Sequence, residues 1–171
     1  MIETARLLIR PLTPPDAEEL FPVWADPGNE RFGFGMDPPA SVDEVRAWLE
    51  RGAPWGVWER DSGELVGDCG ELVGDCGLFV NDEGEHELAY GFRRDRWGRG
   101  YATEAAAACV RHGFEVLGLE RIVADIHPEG HPASPRILAR LGFRRLREDR
   151  DKVVYVLTGS GAPPPGTPAT P

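Results

Sequence analysis

A glycine-bearing turn between a predicted strand and a long predicted helix constrains the fold of this chain more than any other feature of its sequence. Residues 85–92 alternate in polarity as a strand does, and residues 102–117 form an alanine-rich helical segment. Gly98 and Gly100 lie between them, where glycine lets the backbone approach a ligand closely. The amides that open a helix have no intrahelical partner, so they can bind an anion. This junction is therefore a predicted phosphate-binding site.

Four arginines surround this turn in a chain that is otherwise strongly acidic. The formal net charge is -10 and the sequence pI is about 4.9, yet four cations fall within seven residues: Arg93, Arg94, Arg96 and Arg99. This local reversal of charge suits a polyanion such as a pyrophosphate, although a tight turn with solvated arginines explains the same residues. No Gly-Lys-Ser/Thr follows, which excludes a P-loop, and the incomplete GxGxxG spacing disfavours a dinucleotide fold.

Composition limits the class of protein. A chain of 171 residues with 41% hydrophobic residues suits one compact domain, and the acidic balance argues against a nucleic-acid partner. It favours a cationic substrate only weakly, since excess carboxylates also keep a surface soluble. No apolar run approaches the roughly 20 residues that cross a bilayer, and the N-terminus is unlike a signal peptide, so we expect a cytoplasmic protein with no membrane partner. The three cysteines predict neither a disulfide framework nor a metal site.

Alternation, capping residues and turn residues predict the elements along the chain. The predicted strands cover residues 5–12, 55–59, a segment ending near 80, 85–92, 121–127 and a C-terminal hairpin. Helices are predicted from 13 to about 25, after a capping box of Ser41 and Glu44, over 102–117 with Leu117 on the buried face, and over 135–141 after Ser134. The domain is expected to span residues 1–158, followed by a disordered Pro/Gly-rich tail at 159–171.

A tandem duplication is peculiar to this sequence. GELVGDC occurs at residues 63–69 and again, unchanged, at 70–76. Because strand side chains alternate faces, an odd shift of seven puts Leu65 and Leu72 on opposite faces of a straight strand, so only one copy can match the core. We expect the second copy, which continues into residues 77–80, to fill the sheet. Two interchangeable registers are the competing interpretation.

Several segments together resemble one family. Residues 97–102 (WGRGYA) resemble the acetyl-CoA motif Q/RxxGxG/A of GNAT N-acetyltransferases, in the variant typical of the RimJ/RimL-like branch. The opening ETARLLIRPL is similar to that branch's ETxRLxLRPL start, Gly77 and Leu78 fit its third strand, and HPE with LGF at residues 127–129 and 141–143 fits its PEN…LGF segment. The resemblance covers residues 2–157 apart from the duplication.

The resemblance implies an α/β (α+β) fold with a mixed, mostly antiparallel, splayed sheet of about six to seven strands flanked by about four helices. Acetyl-CoA, the expected co-substrate, would lie in the opening between the fourth and fifth strands. Backbone groups of Phe92 and Arg93 would hold the pantetheine and thioester, and Arg94 and Arg99 would assist by charge. The pyrophosphate would be bound by the amides of Gly98, Arg99, Gly100, Tyr101, Ala102 and Thr103.

The sequence departs from the family at two positions. Gly130 stands where the family has Asn after Pro-Glu, and His131 is the candidate replacement. Leu138 stands where many GNAT enzymes have the tyrosine that protonates the leaving thiolate. A bound water or Ser134 would then supply that proton, although Ser134 is more simply explained as a helix cap.

The predicted general base is Glu87, because related enzymes place a carboxylate at this position of the strand. Only mild assistance is needed for an α-amine with a pKa near 7.7–8, compared with a lysine near 10.4. A solvated or ion-paired strand residue is the alternative interpretation of Glu87.

The acceptor is expected to be a primary amine, either a protein N-terminal amine, a polyamine or another small amine. Trp24, Phe32, Phe34 and Met36 are candidates for the acceptor side, with core packing as the simpler explanation. A homodimer is one assembly that the sequence leaves open. Two rival functions are a non-catalytic acyl-CoA-binding sensor of the same fold and a nucleotide-binding interaction domain.

Overall fold

The computed structural model describes residues 1–26, 38–51, 55–60, 70–127 and 131–159, which form one eight-stranded sheet with helices packed on both faces. The strands are β1 (Ile2–Glu3), β2 (Leu7–Pro11), β3 (Trp55–Glu59), β4 (Leu72–Val80), β5 (His86–Phe92), β6 (Arg121–Ile126), β7 (Arg144–Glu148) and β8 (Val153–Thr158). The helices are α1 (Ala17–Trp24), α2 (Val42–Glu50), α3 (Tyr101–Glu115) and α4 (Ser134–Arg140), with short 3-10 turns at Pro14–Asp16 and Arg94–Arg96.

The predicted fold class is confirmed, but the strand count was too low. The additional strand is β1, which exists because the chain turns back on itself at Thr4. Its N–H donates to the carbonyl oxygen of Leu7 at 2.9 Å, and Ile2 then pairs with Ile9. Two residues are too short a segment to produce a recognisable alternation, so this strand had no sequence signal.

The sheet opens between β5 and β6, which are the fourth and fifth of the strands predicted from the sequence. This is where the resemblance implied an opening. The strand order is β1-β2-β3-β4-β5-β6-β8-β7, and every neighbouring pair is antiparallel except β5 and β6. These two strands pair at Glu87 and Val123. The C-terminal half of β5 therefore has β4 on one side and an opening on the other.

Small residues let α3 pack closely on β4 and β5. A Cβ atom added to Gly113 would lie 2.7 Å from Cδ1 of Leu78, so this position has no room for a side chain. The helix ends at Glu115, two residues before the predicted end, and Leu117 is 52% exposed, so its placement on the buried face was wrong. Gly118 has a φ of +66°, as expected of a glycine that ends a helix.

The second copy of the duplication lies in the sheet, as predicted. It supplies β4 from Leu72 to Cys76, and β4 then continues to Val80. A β-bulge interrupts its pairing with β3, because Val57 faces Gly74 whereas the next residue, Trp58, faces Leu72. The first copy and the predicted turn at 61–63 lie outside the described residues, as do 27–37, 128–130 and the tail from 160.

The predicted helix caps have mixed outcomes. Ser41 caps α2 by accepting a hydrogen bond from the Glu44 N–H at 3.2 Å, but the Glu44 carboxylate accepts from the Ala40 N–H and not from Ser41, so the box is half formed. The cap predicted at Ser134 is wrong. The carbonyl of Ala133 accepts the first helical bond of α4, which makes Ser134 the first helical residue.

Within the described residues no helix is long and apolar enough to span a membrane.

Candidate active site

A cavity of about 320 Å³ lies where β5 and β6 separate. Its walls are the end of β5, the turn before α3, the first turn of α3 and the facing side of α4, with α1 and β4 closing one end. Phe92 contributes from β5, Gly98 and Gly100 from the turn, and residues 101–103 from α3. His131 and Ser134 line the opposite wall. The four remaining predicted site residues do not line the cavity: Glu87, Arg93, Arg94 and Arg99.

The start of α3 presents backbone amides to this cavity. Gly98 and Gly100 have φ values of +77° and +82°, the left-handed region that favours glycine. The first helical bond runs from the Glu104 N–H to the Gly100 carbonyl at 3.0 Å. The amides of residues 101–103 consequently precede the first intrahelical donor, and the positive end of the helix dipole faces the cavity.

Arg6 supports the glycine turn from outside the cavity. Its Nη1 donates to the carbonyl oxygen of Arg99 at 2.9 Å, its Nε donates to Glu104 at 2.7 Å, and its guanidinium lies 4.8 Å from the centre of the Tyr101 ring. Burial raises the pKa of Glu104, but hydrogen bonds from Thr4 and Arg6 outweigh burial and hold that pKa below its usual value. The N-terminal segment thus fixes the conformation of the glycine turn and of the start of α3.

Carboxylates neutralise three of the four arginines around the turn. Arg93 pairs with Asp95 at 2.9 Å and with Glu71, and Arg94 pairs with Asp26 at 3.1 Å. Arg96, which lines the cavity, pairs with Glu59 at 3.5 Å and also with Glu71. In the described parts of the chain, only Arg99 of the four lacks an acidic partner. The charge predicted for this turn is therefore largely compensated.

Two further arginines, which the sequence analysis missed, face the cavity from α4. Arg136 and Arg140 line it, and neither has a carboxylate partner among the described residues. Their spacing of four places them on one face of the helix. That spacing was the available signal, but nothing in the sequence said which face of α4 the cavity would occupy.

The exposed edge of β5 provides a hydrogen-bond donor at the cavity. The Arg93 N–H donates to the Val73 carbonyl at 2.9 Å, toward β4, and the Arg93 carbonyl accepts from the Arg96 N–H at 3.0 Å. Both backbone groups of Arg93 are therefore already engaged. Because successive residues of a strand direct their amides to opposite edges, the Phe92 N–H points toward the opening. The Phe92 carbonyl accepts from Nε1 of Trp97 at 2.8 Å.

Two aromatic rings meet across the mouth of the cavity. Trp97, at the end of the 3-10 turn before α3, lies 4.4 Å from His131, centre to centre, in an edge-to-face arrangement. His131 in turn accepts a hydrogen bond at Nδ1 from the Ala133 N–H at 3.2 Å. His131 thus lines the cavity, and its role as a replacement for the family's asparagine stays a prediction.

Hydroxyl groups of Tyr90 and Ser134 lie together in the cavity. Burial raises the pKa of Tyr90 to about 12, and the Ser134 side chain, as a donor to the Tyr90 oxygen, acts in the opposite direction. Leu138 is only 1% exposed and belongs to the core that α3 covers. Ser134 precedes Leu138 by four residues on α4, so the two residues lie one helical turn apart. Tyr90 was missed because strand alternation alone does not separate core from cavity.

Glu87 and Asp75 are both buried carboxylates, but only Asp75 lines the cavity. Glu87 accepts a hydrogen bond from Nδ2 of Asn81 at 3.1 Å, away from the cavity. Burial raises the pKa of Glu87, with the Asn81 bond acting against it. Asp75 lines the cavity, is 5% exposed, and accepts a hydrogen bond from Nε1 of Trp24 at 2.9 Å. Asp75 was missed because it belongs to the duplicated segment, whose placement the sequence left open.

In the described part of the chain, His, Cys, Asp and Glu form no group of three or more that could hold a metal ion. Cys76 and Cys109 are free and buried. A hydrogen bond with Cys109, together with burial, raises the pKa of the Cys76 thiol, as expected of a structural cysteine.

Comparison with known proteins identifies the family. Residues 6–144 match the family described as Acetyltransferase (GNAT) domain. This chain is a GNAT acetyltransferase. Among its relatives, the uncharacterized N-acetyltransferase p20 of Bacillus licheniformis is 30% identical over 160 residues, which cover 87% of this chain and 86% of p20. The GNAT fold and these relatives make it an acetyl-CoA-dependent acyltransferase.

Solved GNAT structures share this fold over nearly the whole chain. A GNAT-family acetyltransferase of Bacillus anthracis superposes with a TM-score of 0.76 at 24% identity, covering 92% of this chain and 97% of the other. A candidate ribosomal-protein-serine acetyltransferase of Vibrio cholerae superposes with a TM-score of 0.71 at 22% identity, with the same coverage of both chains. At these identities the likeness concerns the fold alone.

Proposed function

We propose that this GNAT chain transfers the acetyl group of acetyl-CoA to a primary amine by direct attack within a ternary complex. The observation that carries the proposal is the continuity of the cavity. It runs from the helix terminus at Tyr101, past the exposed edge of β5 at Phe92, to a buried carboxylate at Asp75. One cavity thus offers an anion site, a thioester site and an amine site in sequence.

The phosphates of acetyl-CoA fit the wall formed by the glycine turn and α4. The amides of residues 98–103 would bind the pyrophosphate, and charge-assisted bonds of this kind are worth about 1.5–3 kcal/mol each. Arg99, Arg136 and Arg140 supply positive charge that no described carboxylate neutralises. Arg94, which was predicted to assist, contributes less because Asp26 pairs with it.

The Phe92 N–H is suited to the thioester carbonyl. It points into the opening, and a fixed donor stabilises the negative charge that develops on this oxygen when an amine attacks. The Arg93 backbone, predicted to share this role, already bonds within the protein. We therefore assign the thioester to Phe92 and give Arg93 a structural part in the proposal.

Proton transfers are needed at both ends of the reaction. Ser134, beside Tyr90, is the group we propose to protonate the leaving thiolate, directly or through water. The general base predicted from the sequence is Glu87, whose route to the cavity would require a water relay. Turnover of an E87Q variant between pH 6 and 9 tests this, because unchanged turnover at every pH would refute the assignment.

The RimJ/RimL-like branch is part of the proposal. The opening motif of the sequence supports it, as does the fold shared with the Vibrio cholerae protein described above. That branch favours a protein N-terminal amine as acceptor, with polyamines and small amines as alternatives. We further propose one catalytic domain over residues 1–158, a cytoplasmic location and a homodimer as the assembly to test.

A non-catalytic acyl-CoA sensor is the second candidate. Leu138 and Gly130, at the positions of the family's tyrosine and asparagine, are the observations that favour it. The discriminating experiment incubates purified protein with acetyl-CoA and a panel of N-terminal peptides, polyamines and small amines while free CoA thiol is measured. Acceptor-dependent thiol release supports the enzyme. Acetyl-CoA binding without release for any acceptor supports the sensor, and ATP that displaces CoA supports a nucleotide-binding domain.

A further inference from the structure

Arg6 holds one peptide group of the glycine turn in a defined orientation. Its Nη1 donates to the carbonyl oxygen of Arg99 at 2.9 Å, and Arg6 itself does not line the cavity. Because a trans peptide group is planar, the N–H of Gly100 points in the direction opposite to that carbonyl. Gly100 lines the cavity whereas Arg99 does not, so this N–H is directed into the cavity. Among the described residues it has no backbone acceptor.

The same peptide group has a second orientation open to it. A flip of the peptide changes the sign of φ at Gly100, which is now +82°, and glycine adopts negative φ about as readily as positive φ. In the flipped orientation the Arg99 carbonyl oxygen would face the cavity in place of the Gly100 N–H. That oxygen carries partial negative charge and would repel a phosphate. The bond from Arg6 therefore favours the orientation that suits an anion.

Arg6 is itself held by Glu104, on the first turn of α3. Its Nε donates to the carboxylate at 2.7 Å, its Nη2 lies 2.6 Å from the same oxygen, and its backbone N–H donates to the other oxygen at 3.1 Å. The Thr4 hydroxyl also donates to Glu104, at 2.6 Å. A lone surface ion pair contributes little, but an arginine with several bonds inside a network is held in one geometry.

We propose that Arg6 is a positioning residue for acetyl-CoA, because it keeps the Gly100 N–H directed at the pyrophosphate. This inference rests on the proposed placement of acetyl-CoA at the glycine turn and adds the side chain that orients one of its donors. Glu104 neutralises the charge of Arg6, so Arg6 exerts little attraction of its own on the phosphates. Its contribution should therefore appear in the affinity for acetyl-CoA and not in the salt dependence of that affinity.

The test uses a double variant that removes the ion pair without changing the net charge. Arg6→Met/Glu104→Gln replaces both members by neutral side chains of similar length. Loss of one oriented donor to a phosphate should weaken acetyl-CoA binding about tenfold, measured as Kd by isothermal titration calorimetry. The slope of log Kd against log salt concentration should equal the wild-type slope. The KM for acetyl-CoA should rise with Kd, whereas a variant that merely lost folded protein would lose kcat and keep its KM.

Arg147→Met/Glu83→Gln is the matched control. Arg147 also forms a pair through two bonds, since its Nη2 lies 2.9 Å and 2.7 Å from the two oxygens of Glu83, and neither residue lines the cavity. This double variant likewise keeps the net charge. We expect its Kd for acetyl-CoA to stay within about twofold of wild type.

Three outcomes would overturn the inference. One is a Kd of the Arg6 double variant within about twofold of wild type, and another is an equal rise of Kd in the control. The third is a rise of Kd with a shallower salt slope, because that combination indicates direct contact between the guanidinium and a phosphate.

Arg6→Lys covers the case in which the double variant does not fold. The substitution keeps the positive charge beside Glu104, but an ammonium lacks the rigid fork that holds the carboxylate and the Arg99 carbonyl together. We expect a Kd about threefold or more above that of wild type. A wild-type Kd would overturn the inference, because charge alone would then suffice. If wild type itself binds no acetyl-CoA, the proposed function fails, whereas equal binding by wild type and every variant refutes this inference alone.

Discussion

Replacing Gly98 by alanine tests whether the left-handed turn before α3 binds the cofactor. Gly98 has a φ of +77°, and a Cβ atom added there meets nothing within 4 Å. The substitution therefore introduces backbone strain without a steric clash, and that strain amounts to about 1–2 kcal/mol for a residue other than glycine. Because the turn is exposed, we expect it to relax in the free protein and to recover the positive φ only when acetyl-CoA binds.

The strain then lowers the affinity for acetyl-CoA and leaves the stability of the free protein nearly unchanged. A penalty of about 1–2 kcal/mol on the bound state weakens acetyl-CoA binding by about 5–30-fold, measured as Kd by isothermal titration calorimetry. The melting temperature of the free Gly98→Ala protein should change little. An acetyl-CoA Kd within twofold of wild type would refute the assignment of this turn to the cofactor.

Gly118→Ala supplies the matched control at the other end of the same helix. Gly118 has a φ of +66° and equally open surroundings, but it lies far along the chain from the cavity residues. The neighbouring bond from the Leu119 N–H to the Gly113 carbonyl, 3.0 Å long, restricts relaxation there. The same strain should now lower the melting temperature by about 2–8 °C and leave the Kd for acetyl-CoA unchanged.

Two further predictions concern the duplication and α4. Deletion of residues 64–70 removes one copy and leaves Glu71 and β4 in place, so the melting temperature should stay within about 2 °C of wild type; a much larger loss would show that both copies are integral. Arg140→Ala should weaken acetyl-CoA binding by about tenfold and reduce the salt dependence of that binding, because a cation facing the phosphates is lost. Arg144→Ala, on β7 and outside the cavity, should change neither quantity, and equal effects of the two substitutions would contradict the role of Arg140.

Local patterns were sufficient to predict most elements. Alternation located β3, β5 and β6, and the glycine after α3 stopped that helix where a left-handed residue was needed. The predictions that were wrong concern the ends of helices, where more than one local arrangement of the backbone fits the sequence. Ser134 has the chemistry of a cap, yet the carbonyl of Ala133 accepts the first helical bond. Leu117 fits the helical period, yet the helix ends before reaching it.

The candidate site was harder to predict because its electrostatics depend on long-range contacts. The arginines around the turn looked like a cationic patch, but Glu59, Glu71 and Asp26 reach them from distant parts of the chain. Asp75 gave no local signal, since a strand carboxylate is ordinarily solvated, and the spacing of Arg136 and Arg140 did not indicate that their face of α4 lines a cavity. Only the packing of α1 and α4 against the opened sheet brings these side chains to one cavity.

The duplicated segment also creates a competing folded state that the chain has to avoid. A slip of seven residues would let the first copy take the place of the second with an identical sequence, so nothing inside the repeat distinguishes the two states. The residues that follow do distinguish them. Leu78 packs near Gly113 on α3, and the slip would replace it with Glu71.

The slipped state would lose part of the roughly 1.5–3 kcal/mol that burial of a leucine provides. The ion pairs of Glu71 with Arg93 and Arg96 do not favour the native state, because Glu71 belongs to the repeat and Glu64 of the first copy would occupy its position after the slip. The energy gap that makes folding unique here therefore arises from the residues that follow the repeat, not from the repeated residues themselves.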